Sequence, residues 1–154
     1  MSKKVLIANR GEISLRAIRA CKELGLKTVC IYSEGDKELK SLRFSDESVC
    51  VGPADPTKSY LDAPTILSAA DVTGSDAIYP GYGFLAEDHS FAEQCNLSGF
   101  KFIGPSSQTI RQMGDKITAK SIVTKYGIDG VPGYDKELPN NCLLYTSDAA
   151  DDLL

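Results

Sequence analysis

Strand-length apolar runs alternate along this chain with helix-period stretches, and each helical stretch closes on a glycine. Lys4-Val-Leu-Ile-Ala8 is the first run. After Asn9-Arg10-Gly11 come Ile13, Ala17, Ala20, Cys21 and Leu24, whose steps, mostly of three and four, place them on one predicted helix face. Gly25 stands where a helix C′ residue of left-handed conformation is wanted, with Leu26 after it for the capping contact. Lys27-Thr-Val-Cys-Ile-Tyr32 then reads as a second strand, dense in β-branched residues.

The unit recurs. Pro64 suits the first turn of a helix that Asp62 would cap, with Ile66, Leu67 and Ala70 as its face and Gly74 at its end. Asp76-Ala-Ile-Tyr79 follows as a strand. A further helix starts near Asp88 or Ser90, where Ser90 and Glu93 have capping-box spacing, and stops at Gly99 before the strand Phe100-Lys-Phe-Ile103. Ser45–Val51 adds a short strand at its apolar end. Strands alternating with helices through short glycine-containing turns predict an α/β domain with a doubly wound, largely parallel sheet of Rossmann-like type. After Gly104-Pro105 the rhythm changes. Ile110 and Met113 predict a short helix, Lys116–Lys125 predicts another closed by Gly127, and Val131-Pro-Gly-Tyr134 reads as a turn or linker. A domain boundary is expected near residues 105–115, with the start of a second domain beyond it.

Composition excludes several classes. With 42% hydrophobic and 25% charged residues the chain is neither disordered nor collagen-like. Its apolar runs fall far short of the roughly 20 residues that span a bilayer, and no secretory signal opens it. The formal charge is −4, and Asp148, Asp151 and Asp152 crowd the last seven residues, so a basic nucleic-acid footprint is absent. Five cysteines without CxxC spacing point to reduced thiols in a cytoplasmic protein, with those at 21, 30, 50 and 95 expected as core filler. A lone histidine, His89, is too few for a histidine metal cage or a Ser-His-Asp triad, and is expected exposed at a helix start.

Ligands of open α/β sheets bind beyond the carboxyl ends of the strands. Two loops fall there: Asn9-Arg10-Gly11-Glu12 and Pro80-Gly81-Tyr82-Gly83-Phe84. The second is either a tight turn with a packed tyrosine or a ligand-facing loop, and spacing alone does not choose. Gly11 lacks the GxGxxG context of a dinucleotide fingerprint, so a structural strand–helix turn is favoured there. Arg16, Arg19 and Glu23 read as a solvated ion-pair face. Lys116, next to Asp115 at a helix start, is oddly placed for a cation on dipole grounds.

Five ordered blocks add more: KVLIANRGEISLRAIRACKELGLKTVCIYSEGD, SYLDAPTILSAA, DAIYPGYGFLAED, FIGPSSQTIRQMGDK and VPG. Together, from about residue 3 to about residue 135, they resemble the amino-terminal part of biotin carboxylase. The resemblance implies a pre-ATP-grasp domain over 1–113 and a helix and linker over 114–140 leading into an ATP-grasp domain. It implies an enzyme, a ligase that uses ATP, Mg²⁺ and bicarbonate to form carboxyphosphate and then carboxylates N1′ of biotin on a biotin carboxyl carrier protein. By the same resemblance, Lys116 of MGDK contacts ATP phosphates and Tyr82 and Gly83 line the biotin side of the pocket. Arg19 and Glu23 would belong to a homodimer interface, against the solvated-face reading. The acyl acceptor belongs to a separate carboxyltransferase component. Acetyl-CoA carboxylase, and hence fatty acid synthesis, is the favoured setting; the front of pyruvate or propionyl-CoA carboxylase begins in the same way. A non-catalytic nucleotide- or partner-binding module is the reading from another class.

Three positions depart from the family pattern: Tyr79 replaces a histidine, Ser14 an alanine, and Ala86-Glu87-Asp88 stands for Ser-Glu-Asn. Tyr79 is expected to alter the pocket lining. The glycine-rich lid and Mg²⁺-binding glutamates of the family do not occur here, so the chain alone is expected to be inactive. Residues 141–154 do not resemble the family and look like translated sequencing-adapter read-through, outside the fold.

Overall fold

A computed structural model describes residues 3–128. The Val131–Tyr134 turn, Cys142, the linker to residue 140 and the 141–154 tail lie outside the described residues.

Five strands form one parallel sheet: β1 (Lys4–Ile7), β2 (Lys27–Tyr32), β3 (Glu47–Cys50), β4 (Ala77–Tyr79) and β5 (Lys101–Phe102). Their order is β3-β2-β1-β4-β5. The helices are α1 (Gly11–Glu23), α2 (Ala63–Val72), α3 (His89–Leu97), α4 (Ser107–Gly114) and α5 (Lys116–Lys125). The chain divides into two compact units between Ile110 and Arg111. The sheet with α1, α2 and α3 makes the first, and α5 lies in the second.

The central strands β1, β2 and β4 bury both faces, as the inner strands of a parallel sheet do, while the edge strand β3 is largely exposed. Leu6 and Ala8 of the first run join Val29, Ile31, Ile78 and Phe102 in a core closed by Ile66 and Ala70 of α2 and Phe91 and Cys95 of α3. Ile7 points the other way, to Cys30, Ala17 and Ile18 beneath α1. That alternation is the doubly wound architecture at side-chain level.

Four helices end alike. After α1 the Gly25 N–H donates to the Lys22 carbonyl and the Leu26 N–H to the Cys21 carbonyl. The same pair of bonds closes α2 at Gly74, α3 at Gly99 and α5 at Gly127, satisfying carbonyls that the helix itself leaves open.

Several local expectations are corrected. α1 buries Ser14, Ala17 and Ile18, whereas Ala20 is exposed and Leu24 is 74% exposed. The sheet takes the residues one position around the helix, so the apolar periodicity overshoots the contact face. Of the two starts offered for α3, Asp88 is the cap: its carboxylate accepts from the Ser90 and Phe91 N–H groups, and the Ser90–Glu93 capping box is not used. Asp62 holds the cap position of α2, but its carboxylate accepts from the Thr65 hydroxyl at 2.6 Å instead of a backbone N–H. Cys50 is exposed on the edge strand and Cys21 half-buried; of these four cysteines, Cys30 and Cys95 are the core residues. Burial pushes the Cys30 thiol up to about 11 and the Cys95 thiol up to about 12, so neither is a ready thiolate. His89 is half-buried.

Candidate functional site

The strand order reverses between β1 and β4, which are hydrogen-bonded neighbours with Ile7 opposite Tyr79. From β1 the chain winds outward to β2 and β3; it then returns to β4 on the other side. A crevice opens at such a switch point, beyond the carboxyl ends of the strands. The two loops picked out by sequence therefore face each other across it.

Asn9 ties them together. It is fully buried, and its side-chain amide donates to the Pro80 carbonyl at 2.7 Å and the Tyr82 carbonyl at 2.9 Å. Its own carbonyl oxygen accepts from the Arg10 N–H at 2.9 Å. One side chain at the end of β1 thus satisfies two carbonyls of the opposite loop, which would otherwise be costly to bury.

The Pro80–Phe84 loop is conformationally demanding. Gly81 and Gly83 have φ near +70°, and Phe84 has φ +44°, alone among the described non-glycine residues. A β-carbon on Gly81 would lie 2.6 Å from Ile13 Cγ2 and 3.1 Å from Asn9 Nδ2, whereas one on Gly83 would meet nothing within 4 Å. Gly81 is required for packing; Gly83 leaves open space. Tyr82 is 64% exposed, and its hydroxyl donates to Glu12 Oε1 at 2.8 Å. That bond to a carboxylate raises the Tyr82 pKa. The tyrosine is thus not packed into a turn: it stands out from the loop, held at its tip.

Behind the loop lies a polar knot that the sequence did not signal. Asp36 Oδ2 accepts from the Tyr60 hydroxyl at 2.8 Å, from the Ser33 hydroxyl at 3.0 Å and from Arg10 at 3.1 Å. Burial alone would raise the Asp36 pKa, but these three donors outweigh it and hold the carboxyl below its ordinary value. Tyr60 is fully buried, its pKa pushed up to about 12, first by that burial. Ser33 and Asp36 follow β2, so the strand-end rule could have found them. Tyr60 sits in irregular chain between β3 and α2, where no periodicity exists.

The other sequence-chosen residues are placed as follows. Arg19 and Glu23 are both exposed on α1, as is Arg16. The ion pairs among the described residues are Lys4–Glu47, Arg10–Asp36 and Lys27–Asp46, so the expected ion-pair face on α1 does not form. Tyr79, half-buried, packs with the Ile7, Ala17, Ile18 and Cys30 layer under α1. Lys116 is the exposed first residue of α5. Asp115 caps that helix through the Thr118 N–H at 2.6 Å, which lowers the aspartate pKa and supplies the negative charge the dipole favours.

Among the described residues no group of three or more His, Cys, Asp or Glu side chains is arranged to hold a metal ion. Glu12 and Asp36, the acids at the crevice, are engaged with Tyr82 and with Arg10, Tyr60 and Ser33. These residues do not make a Mg²⁺ site. No helix among them is long and apolar enough to cross a membrane.

The fold and its switch-point loops define a Rossmann-like domain. Comparison with known proteins narrows the class. Residues 1–110 match the family model described as biotin carboxylase, N-terminal domain, and the chain belongs to that family. It is 58% identical over 141 residues to the biotin carboxylase of Pseudomonas aeruginosa, covering 92% of this chain and 31% of that protein. It is 55% identical over 141 residues to the biotin carboxylase of Haemophilus influenzae, covering 92% of this chain and 32% of the other. A pyruvate carboxylase subunit of Methanothermobacter thermautotrophicus is 48% identical over 136 residues, with coverage of 88% and 28%. Among solved structures, Campylobacter jejuni biotin carboxylase in a β,γ-ATP complex superposes with TM-score 0.84 at 47% identity, covering 88% of this chain and 30% of that one. The biotin carboxylase domain dimer of Hydrogenobacter thermophilus 2-oxoglutarate carboxylase, with MgADP, ADP and bicarbonate, gives TM-score 0.83 at 47% identity and the same coverage. The chain spans about a third of the length of the curated relatives it matches.

Proposed function

We propose that this chain supplies the amino-terminal wall of an ATP- and bicarbonate-dependent biotin carboxylase, in the first half-reaction of acetyl-CoA carboxylase. The observation that carries the reading is the 58% identity to a biotin carboxylase over 92% of the chain. The nearly one-half identity to a pyruvate carboxylase subunit supports a second setting, the front of a pyruvate or propionyl-CoA carboxylase.

In this reading Tyr82 and Gly83 border the place where biotin enters. Tyr82 offers a flat ring and a hydroxyl, and Gly83 leaves room for close approach. Lys116 meets ATP phosphates as a point charge at the start of α5, in the segment 114–140 that leads into an ATP-grasp domain. ATP and Mg²⁺ supply the activation of bicarbonate; this chain's residues bind and orient. In this reading the metal ligands and the lid over the phosphates come from the two thirds of the relatives' length that this chain does not span. Arg19 and Glu23, exposed on α1, form part of a homodimer surface; that the H. thermophilus relative's domain is a dimer supports the dimer itself. The partners are a biotin carboxyl carrier protein and a carboxyltransferase component, and the setting is cytoplasmic.

A chimera tests this. Residues 1–128 replace the matching segment of the P. aeruginosa enzyme, and biotin-dependent, bicarbonate-dependent ADP formation is measured. Activity is the expected result. A folded chimera with no such activity beside an active parent would overturn the proposal.

A further inference from the structure

We infer that Arg10 is a positioning residue that sets the shape of the Gly81–Phe84 loop, and through it the Tyr82–Gly83 side of the crevice. This deepens the functional reading above and rests on it. Arg10 occupies the N-cap position of α1 but makes no side-chain cap. Its guanidinium lies over two aromatic rings at once, 5.5 Å from the Tyr60 centroid and 5.6 Å from the Phe84 centroid. Those rings stack on each other at 5.1 Å with an interplanar angle of 19°. Asp36 Oδ2 accepts from the guanidinium Nη1 at 3.1 Å.

The consequence follows from where Phe84 sits. It is the residue with φ +44°, a left-handed conformation that an aromatic side chain adopts only when its surroundings impose it. Stacking on Tyr60 and the overlying cation supply that imposition, because attraction between a cation and a ring face is lost if the ring swings away. Phe84 is bonded to Gly83, so holding the ring holds the peptide that precedes it. Asn9 grips the other end of the loop through Pro80 and Tyr82. Consecutive residues at the end of β1 therefore clamp both ends of the loop, Asn9 by hydrogen bonds and Arg10 by its stacked side chain. Lysine cannot replace arginine here: an ammonium keeps the charge but has no plane to lay over two rings while facing a carboxylate.

The test compares the chimera described above with its R10A and R10K variants. One readout is chymotrypsin cleavage after Tyr82 and Phe84 against cleavage after the buried Phe91. The other is the Gly83 amide resonance with and without free biotin. Cleavage at the loop is expected to rise by about tenfold or more in R10A, since it tracks the population of the opened loop, while cleavage after Phe91 stays unchanged. The Gly83 resonance should move, and its response to biotin should fall. R10K should lie nearer R10A than wild type. Unchanged loop cleavage and an unmoved Gly83 resonance in both variants overturn the inference, as does a parallel rise at Phe91 in both, which would mark general unfolding. A wild-type Gly83 resonance indifferent to biotin refutes the biotin-side reading instead, and the cleavage ratio still decides the clamp.

Discussion

Ser14 illustrates how much one buried atom decides. Its hydroxyl is fully buried, without a hydrogen-bond partner in good geometry, beside the Cys30 thiol under α1. A buried hydroxyl with only a sulfur neighbour recovers little of its desolvation penalty, since a thiol is a weak hydrogen-bonding partner. Alanine removes the penalty and is the better helix former. Ser14→Ala is therefore expected to stabilise the chain by about 1 kcal/mol, read as a higher urea midpoint at unchanged slope. The loop glycines make an opposite pair. Gly83→Ala should cost only the left-handed penalty of about 1–2 kcal/mol, because its β-carbon meets nothing. Gly81→Ala adds the collision with Ile13 and loosens the Asn9 grip, an overpacking cost of about 1–3 kcal/mol more. Equal unfolding midpoints for the two variants would contradict this account. The glycines were legible in the sequence as a flexible pair. Which of them is irreplaceable was not, because that depends on a helix residue from another segment.

Between elements, Asp46 joins the start of β2 to the approach to β3. Its carboxylate accepts from Lys27 Nζ at 2.9 Å, the Thr28 N–H at 2.9 Å and the Thr28 hydroxyl at 2.8 Å. The bond from Lys27 first, then those from Thr28, lower its pKa from the ordinary 3.8 to about 2. A depressed carboxylate pKa contributes stability that is full above pH 3.8 and is lost as the pH falls toward 2. Asp46→Asn should flatten that acid limb of the stability profile and lower the plateau above it modestly, since the site is largely solvated. Acid titration of the folded fraction by circular dichroism would show it; superimposable curves for variant and wild type would refute it. Elements themselves were the most legible level. β2 and α5 have the bounds expected, and the four glycine C-caps fall where the residues place them, because caps and periodicity are local physics. The buried face of α1 was misread by one position, since the sheet and not the helix selects which stripe it covers.

At the scale of the molecule, the proposed roles separate in the chimeric enzyme. Lys116→Ala should raise the KM for ATP by about tenfold or more, the loss expected of a charge-assisted contact, with the biotin dependence little changed. Tyr82→Ala should act mainly on the biotin step. Steady-state kinetics against each substrate distinguish these, and equal loss of both would refute the division. Arg19→Glu should shift the sedimentation of the chimera toward monomer. From its residues alone, this chain shows a doubly wound α/β unit, the loops at its strand ends and a family. Those follow from period, capping and motif, which are properties of neighbours along the chain. Only the tertiary structure decides that β1 lies beside β4. That adjacency brings Asn9 onto the Pro80–Phe84 loop and Arg10 onto Phe84, while the pairing of β1 with β2 brings Arg10 to Asp36. Hydrogen bonds and ring contacts act over a few ångströms of space, and no spacing in sequence measures that distance.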